Sequence, residues 1–392
     1  MTDGGRARLA RRALLGLLLV SSCALAGAAP LLIGVLARAD DERLEPKRLE
    51  LGYFGQPGGP LRAGVDLALA ESRFELDAAR LQARVEAVVV RSADEARAQA
   101  ARLKAAGAAA LITDLPAAWT VAAASTGLAV VNSGNTADAL REQDCRANLF
   151  HTLPSERMLA DALAQTLTTR KWSKVLLLYG PAADDAARLA VVQASMRRYG
   201  LKAVALRPFK LSADPREREL ANPALLTGNA DYDVVWVVDS EGEFARALPY
   251  RTALPRPVAG DAGLMAGPWS PRLERYGAPQ LNRRFARANQ RAMTGIDWAA
   301  WQAGKAVLQA AMAAPAAKLA QTMVQPEFAL DGGKGVRLSF RAWDRQLRQP
   351  LVLTDGQGVI ALAPVEGILH PNNVLDTLGS DAPEKLCKAP AS

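Results

Sequence analysis

The sequence predicts an α/β fold of two lobes, each a parallel sheet flanked by helices, with a hinged cleft between them. Three observations carry this. Short apolar runs alternate with helix-patterned segments twice, over 31–132 and again over 156–260. Several of those runs end in small polar residues, as strands do where a sheet opens onto a cleft. Beyond 266 the pattern turns first helical and then strand-like, which suits a chain that returns to the first lobe and crosses again to the second. Repeated crossings make a hinge, and a hinge beside a cleft is a device for closing around a ligand.

Composition sets the outer limits. At 392 residues the chain is long enough for two buried cores, and 50 % hydrophobic with 22 % charged residues is a globular composition. The net charge is +8, but Arg6, Arg8, Arg11 and Arg12 lie in the first twelve residues with Asp3 as their only acid, so the rest carries +5. That remainder holds no basic run with interleaved aromatics, which argues against nucleic acid as a partner. The arginines precede an apolar run, 13–20, and the small residues SSCALAGAA. This is the pattern of a secretory signal peptide over 1–28. Val20-Ser21-Ser22-Cys23 also has the form of a lipoprotein cleavage box, in which Cys23 would carry lipid. An uncleaved anchor over 13–37 is the alternative, set aside because 31–36 is needed as the first strand.

If Cys23 leaves or is lipidated, Cys145 and Cys387 remain, and an exported chain with one pair suggests a disulfide between them. Two buried free thiols are the alternative. His151 and His370 are the only histidines, and no Cys-x-x-Cys occurs, so neither a metal nor another cofactor is expected.

The elements follow in order. LLIGVL (31–36) reads as a buried strand and 40–50 as a charged loop. Glycines at 52, 55, 58 and 59 lack the Gly-x-Gly-x-x-Gly spacing of a dinucleotide site. They read instead as a loop that lets backbone and Tyr53 approach a ligand. A helix over 61–71 and a strand over 81–90 come next. Ser92 to Glu95 has the capping-box pattern, and Gly107 ends the helix it starts. Strand 109–113, helix 116–125 and strand 128–132 complete a unit whose polar strand ends nominate Thr113, Asp114, Ser133, Asn135 and Thr136 as cleft residues. The second lobe repeats the build: a helix capped by Ser155, strand 174–179, a helix capped by Asp184 or Asp185, strand 201–206, helix 215–226, strand 233–238 and a short strand at 257–260. Tyr179, Asp239 and Glu241 end its strands. Helices at 280–291, 298–313 and 317–323 precede three strand-like runs, GVRLSF, QPLVLT and GVIALA, and a loop-rich tail.

The residues at 145–165 (CRANLFHTLPSERMLADALAQ), 223–244, 250–264, 334–350 (KGVRLSFRAWDRQLRQP) and 375–379 (LDTLG) resemble a known family. The chain is similar to type I periplasmic solute-binding proteins of the branched-chain amino-acid kind, and within them to the subgroup associated with PQQ-dependent alcohol dehydrogenase systems. The resemblance implies lobe one over 29–150, lobe two over 151–265, a return to lobe one over 266–333 and a lobe-two return with tail over 334–392. It implies a periplasmic, monomeric, non-enzymatic receptor that passes a small-molecule ligand to an ABC-transporter permease. It also implies hydroxyl and amide contacts from Ser133, Asn135 and Thr136 and an acid from lobe two, Asp239 or Glu241. Asp114 departs from the family, which often places a serine there for a ligand carboxylate. An ionised aspartate would repel such a ligand, so a neutral polyol, an alcohol-derived compound or a cation is expected. Plainer roles stand beside each of these: Asp114 as a helix cap, Ser133 and Asn135 as turn residues, Asp239 and Glu241 as the start of a helix. His151 reads as a packed hinge residue, Trp236 and Trp301 as core, and Arg341, Trp343, Asp344, Arg345 and Arg348 as packing and ion pairs. A ligand-sensing receptor, or an accessory protein of an alcohol dehydrogenase system, is the second reading. An enzyme is third, since no catalytic constellation can be assigned.

Overall fold

The computed structural model describes residues 29–388. The predicted signal peptide and Cys23 lie outside the described residues. Two parallel sheets form the centres of two lobes. The first holds β1 (Ala29–Arg38), β2 (Leu81–Val90), β3 (Ala108–Asp114), β4 (Ala129–Asn132) and β5 (Leu149–His151) in the order β2-β1-β3-β4-β5. The second holds β6 (Lys174–Tyr179), β7 (Lys202–Pro208), β8 (Val234–Val238) and β9 (Val258–Gly260) in the order β7-β6-β8-β9. All pairings in both are parallel. Every residue of β3, β4 and β8 is buried. That is why these strands read as continuous apolar runs and not as alternating ones: helices cover both sheet faces. Each sheet reverses its strand order beside its first strand, at β1/β3 and at β6/β8, and ligands of open α/β sheets bind outside the carboxyl ends of such strands.

The three late strand-like runs do not form one sheet. β10 (Met265–Gly267), β11 (Leu330–Asp331), β12 (Arg337–Phe340), β13 (Leu347–Arg348), β14 (Leu351–Thr354) and β15 (Val359–Ala363) divide into two antiparallel sheets, β11-β12-β13 and β10-β14-β15. Leu338, Phe340 and Leu347 pack into the first-lobe core with Trp298 and Val307. Leu351, Leu353 and Ala363 pack into the second-lobe core with Leu177 and Trp236. Val352, between two second-lobe residues, belongs to the first-lobe core, as the alternation of side chains along a strand requires.

Several local expectations need correction. The stretch 40–50 is not a loop: a single 3-10 turn, Glu42–Leu44, leads into a helix, Pro46–Leu51. The Asp41 carboxylate accepts the Arg43 N–H (3.0 Å), and Pro46 occupies the first helical position, where its missing N–H costs nothing. The helix expected over 215–226 is broken into Pro215–Glu217, Arg218–Ala221 and Pro223–Thr227, because Pro223 cannot continue the ladder before it. Asp184 and Asp185 lie inside the first turn of helix Ala183–Arg198 and do not precede it. Ser92 caps helix Ala93–Ala105 through Glu95 N–H, while the Glu95 carboxylate accepts from Arg91 and not from Ser92. Cys145 and Cys387 are bonded, with Cα atoms 5.6 Å apart, and tie the end of the first lobe-one segment to the tail.

The chain crosses between the cores three times: between Leu153 and Met158, between Leu264 and Trp269, and between Leu347 and Leu351. One buried guanidinium joins two of these crossings to the first-lobe cleft loop. Arg141 Nε donates to Gln346 Oε1 (3.0 Å), its Nη1 to the carbonyls of Asn135 (3.1 Å) and Ala137 (3.0 Å), and its Nη2 to the carbonyl of Leu153 (2.8 Å). Gln346 Nε2 in turn donates to the carbonyls of His151 (3.3 Å) and Leu153 (3.1 Å). Burial pushes Arg141 down to about 10, so it is still protonated at neutral pH. His151 is buried here as a packed hinge residue, its Nδ1 3.2 Å from Asn132 Nδ2, and burial, aided by nearby Arg141, holds it neutral. Lys334 forms a second tie. Its buried Nζ lies 3.5 Å over the Trp298 ring and donates to Gln349 Oε1 (3.0 Å) and the Pro350 carbonyl (3.1 Å), while Gln349 donates to the Thr152 carbonyl (2.8 Å). Trp236 and Trp301 are core residues, and Arg341 and Arg348 share Asp376, each at 2.8 Å.

A lysine at position 141 keeps the charge but has no planar fork to reach four acceptors. Arg141→Lys therefore costs about 3 kcal/mol of stability through the buried carbonyls it leaves unpaired, read as a shift in the chemical-denaturation midpoint.

Candidate functional site

The first wall of the cleft is built from the carboxyl ends of β1, β3 and β4. Arg38 donates to Asp41 (3.1 Å), and Arg43 Nη2 bridges Asp41 Oδ2 (2.6 Å) and Asp114 Oδ1 (2.8 Å). Against the downward pull of burial, Asp114 and Asp41 hold Arg43 above its ordinary value. Asp114 is the last residue of β3 and caps nothing: helix Ala117–Ala124 begins at Pro116 without a side-chain cap. Two arginines thus balance two carboxylates, and the expected repulsion of an anionic ligand by Asp114 is cancelled locally. The carboxylate also lies directly over Gly134, where an added Cβ would stand 1.9 Å from Oδ1, so only glycine allows this approach.

The neighbouring hydroxyl and amide groups have distinct roles. Ser133 Oγ is 2.9 Å from Thr152 Oγ1. Asn135 donates to the Leu115 carbonyl (3.1 Å) and accepts from Ala137 N–H (2.9 Å), which makes it a turn builder. Thr136 Oγ1 donates to Glu156 Oε1 (2.5 Å) at the start of the first second-lobe helix, Glu156–Thr169, which Ser155 caps. Thr113 is buried, and its Oγ1 has no hydrogen-bond partner among the described residues.

The second wall is acid-rich. Tyr179 ends β6 half-buried, and Asp239 follows β8. Asp239 N–H donates to Asp261 Oδ2 (2.7 Å), and Asp239 Oδ2 accepts Ala245 N–H (2.8 Å) in the first turn of helix Glu243–Ala247. Asp185 Oδ1 accepts Ser240 N–H (2.6 Å). Arg188 grips Asp261 with both terminal nitrogens (2.9 and 2.7 Å) and reaches Glu156 through Nε (3.1 Å). Of the four carboxylates here, Glu156 and Asp261 share the Arg188 guanidinium, while Asp185 and Asp239 are held by main-chain N–H groups. Burial, reinforced by Asp261 and Asp185, raises Asp239 above the usual carboxylate range despite the N–H groups it accepts.

The walls touch at the rim. Arg48 Nη1 meets Glu241 Oε2 (2.9 Å), its Nη2 donates to the Glu241 carbonyl (3.1 Å), and Gln56 donates to the Ser240 carbonyl (3.3 Å). Gly242, at φ +76°, lies under Tyr53, where a Cβ would be 2.9 Å from Cδ1, and the Arg48 guanidinium sits 5.5 Å from the centre of that ring. Glu241 is accordingly a rim residue, its side chain 61 % exposed, in contact with the opposite wall. Among the described residues no group of three His, Cys, Asp or Glu side chains is arranged to hold a metal ion.

Solved structures with the same architecture include periplasmic and ABC-transporter binding proteins. A branched-chain amino acid periplasmic ligand-binding protein of Burkholderia xenovorans superposes with a TM-score of 0.69 at 13% identity, covering 85% of this chain and 95% of that one. A periplasmic binding protein of Burkholderia mallei gives 0.66 at 14%, covering 92% and 99%. A solute-binding protein of R. palustris in complex with benzoate gives 0.64 at 14%, covering 85% and 96%. The chain has the two-lobe periplasmic-binding-protein fold. No protein-family model matches the sequence, and none of the curated proteins is similar to it.

Within that fold several of the expected residues meet neighbouring strand ends or the opposite lobe. Tyr53 meets the segment after β8, Asp114 packs on Gly134 between Ser133 and Asn135, and Thr136 reaches Glu156. Sequence reading passed over Arg43, Arg48, Glu156, Arg188 and Asp261, and took Asp185 only as a helix cap. Only Asp261 had a usable signal, since it directly follows the apolar run 257–260. The arginines sit on a turn and on helices, and nothing in spacing marks them.

Arg43→Met leaves Asp114 buried without its partner and costs about 3 kcal/mol; adding Asp114→Asn restores most of it, measured as a double-mutant cycle in urea. Asp239 works with the opposite sign. Its raised folded value means that stability is full at acid pH and falls as pH rises from the unfolded carboxyl range through that value. Asp239→Asn keeps an acceptor for Ala245, so it raises Tm at pH 7 and leaves Tm unchanged near pH 3 in thermal melts.

Proposed function

We propose that this protein is the solute-binding component of an ABC importer. It captures a small polar molecule between two hinged lobes in the periplasm and presents it to a membrane permease, without catalysing a reaction. The observation that carries the reading is the pair of strand-end walls that meet across the hinge, Arg48 and Tyr53 of one against Glu241 and Gly242 of the other. The structural neighbours, described as binding proteins for branched-chain amino acids and benzoate, support it. The arginine-rich, apolar start of the sequence supports export, with Cys23 as a site for lipid.

Wall chemistry narrows the solute. The first wall is charge-balanced around Arg43, and the second carries four carboxylates, of which Glu156 and Asp261 pair with Arg188 while Asp185 and Asp239 meet main-chain N–H groups. A solute with an ammonium or several hydroxyl groups turned toward Asp239 suits this better than a bare anion. The resemblance read from 334–350 and 375–379, to binding proteins associated with quinoprotein alcohol dehydrogenase systems, is the reason to include polyols and amino alcohols in the first screen.

The test is a thermal-shift screen of polyols, amino alcohols, amino acids and benzoates. A true solute at a hundred times its Kd stabilises the folded state by about 2.7 kcal/mol, and Asp239→Asn weakens an aminated solute at least tenfold in calorimetry. Consumption of a candidate solute by the purified protein overturns the receptor reading. A response to benzoate alone overturns the assigned solute class.

A further inference from the structure

The face of lobe one that carries helix Ala278–Asn289 has a charge pattern that the solute cleft does not use. That helix buries Ala278, Leu281 and Phe285 and turns Arg283, Arg284 and Arg287 outward. From residue 275 to 296 the sequence has five arginines and no acid. Arg284 is spent on Glu71 (2.6 Å), and Arg291 on Asp297. Arg283 and Arg287 stand one helical turn apart with no acidic partner among the described residues, an arrangement that repels itself and weakens an isolated helix.

The Arg284–Glu71 pair leads to the junction of helices Arg62–Glu71 and Arg73–Ala78. There Phe74 is 85 % exposed, the largest exposure of any aromatic ring but Tyr250. Arg73 precedes it. Glu75 and Asp77 offset Arg73 and Arg80, so the net charge of the face comes from the arginine helix. The first described strand begins just beyond helix Arg73–Ala78: Ala29 N–H donates to the Arg80 carbonyl (2.8 Å). Cys23 is six residues before Ala29, a reach of about 20 Å when extended.

We propose that this face is a docking surface for an anionic phospholipid bilayer. Arg283 and Arg287 pair with headgroup phosphates, and Phe74 enters the interfacial layer. Guanidinium forks match phosphate oxygens, and an exposed ring beside arginines is the chemistry of an interfacial contact. The short reach from Cys23 adds to this and rests on the export reading above; the charge pattern does not.

The experiment uses the exported protein and sedimentation with vesicles of phosphatidylcholine alone or enriched in phosphatidylglycerol. Binding is expected to require phosphatidylglycerol and to fall at raised salt. Arg283→Gln and Arg287→Gln each weaken it about fivefold, and Phe74→Ala reduces what remains at high salt. All three leave the solute-induced Tm shift unchanged, so failure here is distinct from failure of the receptor reading. Equal sedimentation with both vesicle types, or full binding by the double arginine variant, overturns the proposal. So does the absence of vesicle binding together with cross-links from position 283 to a membrane protein, which would assign the face to an acidic protein partner.

Discussion

The architecture depends on one buried cation. Arg141 has no carboxylate within its hydrogen-bond set; its four bonds go to three main-chain carbonyls and the Gln346 amide. It thereby fastens the cleft loop 135–137 to the first crossing at Leu153 and the third at Gln346. Neutral acceptors suit this task. A guanidinium that spans several carbonyls sets their relative positions, whereas a single ion pair would fix only one contact. Lys334 repeats the design at the second-lobe side of the third crossing, with Gln349, Pro350 and the Trp298 ring as its neutral partners.

Around this fixed hinge the cleft divides into contacts of two strengths. The deep ones are charge-assisted and largely buried: Arg43 with Asp114 and Asp41, Arg188 with Asp261 and Glu156. They shape each wall. The rim ones, Arg48 with Glu241 and Gln56 with the Ser240 carbonyl, join one wall to the other and are more exposed. Exposed pairs contribute little, at most about 1 kcal/mol each. The charge-assisted contacts are thus stronger within each wall than at the rim, where the walls meet.

The different charge balance of the two walls also follows from local packing. Asp114 is tolerated beside the first wall because Arg43 reaches it from the turn after β1 and because Gly134 leaves space for it. On the second wall the acids are tolerated because main-chain N–H groups of Asp239, Ser240 and Ala245 point at them. Such hydrogen bonds favour the ionised forms, yet burial beside two other acids still wins at Asp239.

What the sequence determined by itself is the order of most elements and the polar residues that end the central strands. Buried parallel strands must be continuously apolar, and the residue after each must be polar where it meets solvent or ligand; 109–114, 174–179 and 234–239 satisfy both. The Cys145–Cys387 bond was legible from an inventory of three cysteines. Only the tertiary structure decided how those ends are partnered. Arg43 lies 71 residues from Asp114, Arg188 lies 73 from Asp261 and Arg48 lies 193 from Glu241. Long side chains choose partners by position in space, and periodicity carries no record of that choice. The same holds for the final strands, whose apolar runs look alike in sequence. Their division between two lobes depends on which core each strand meets after the hinge.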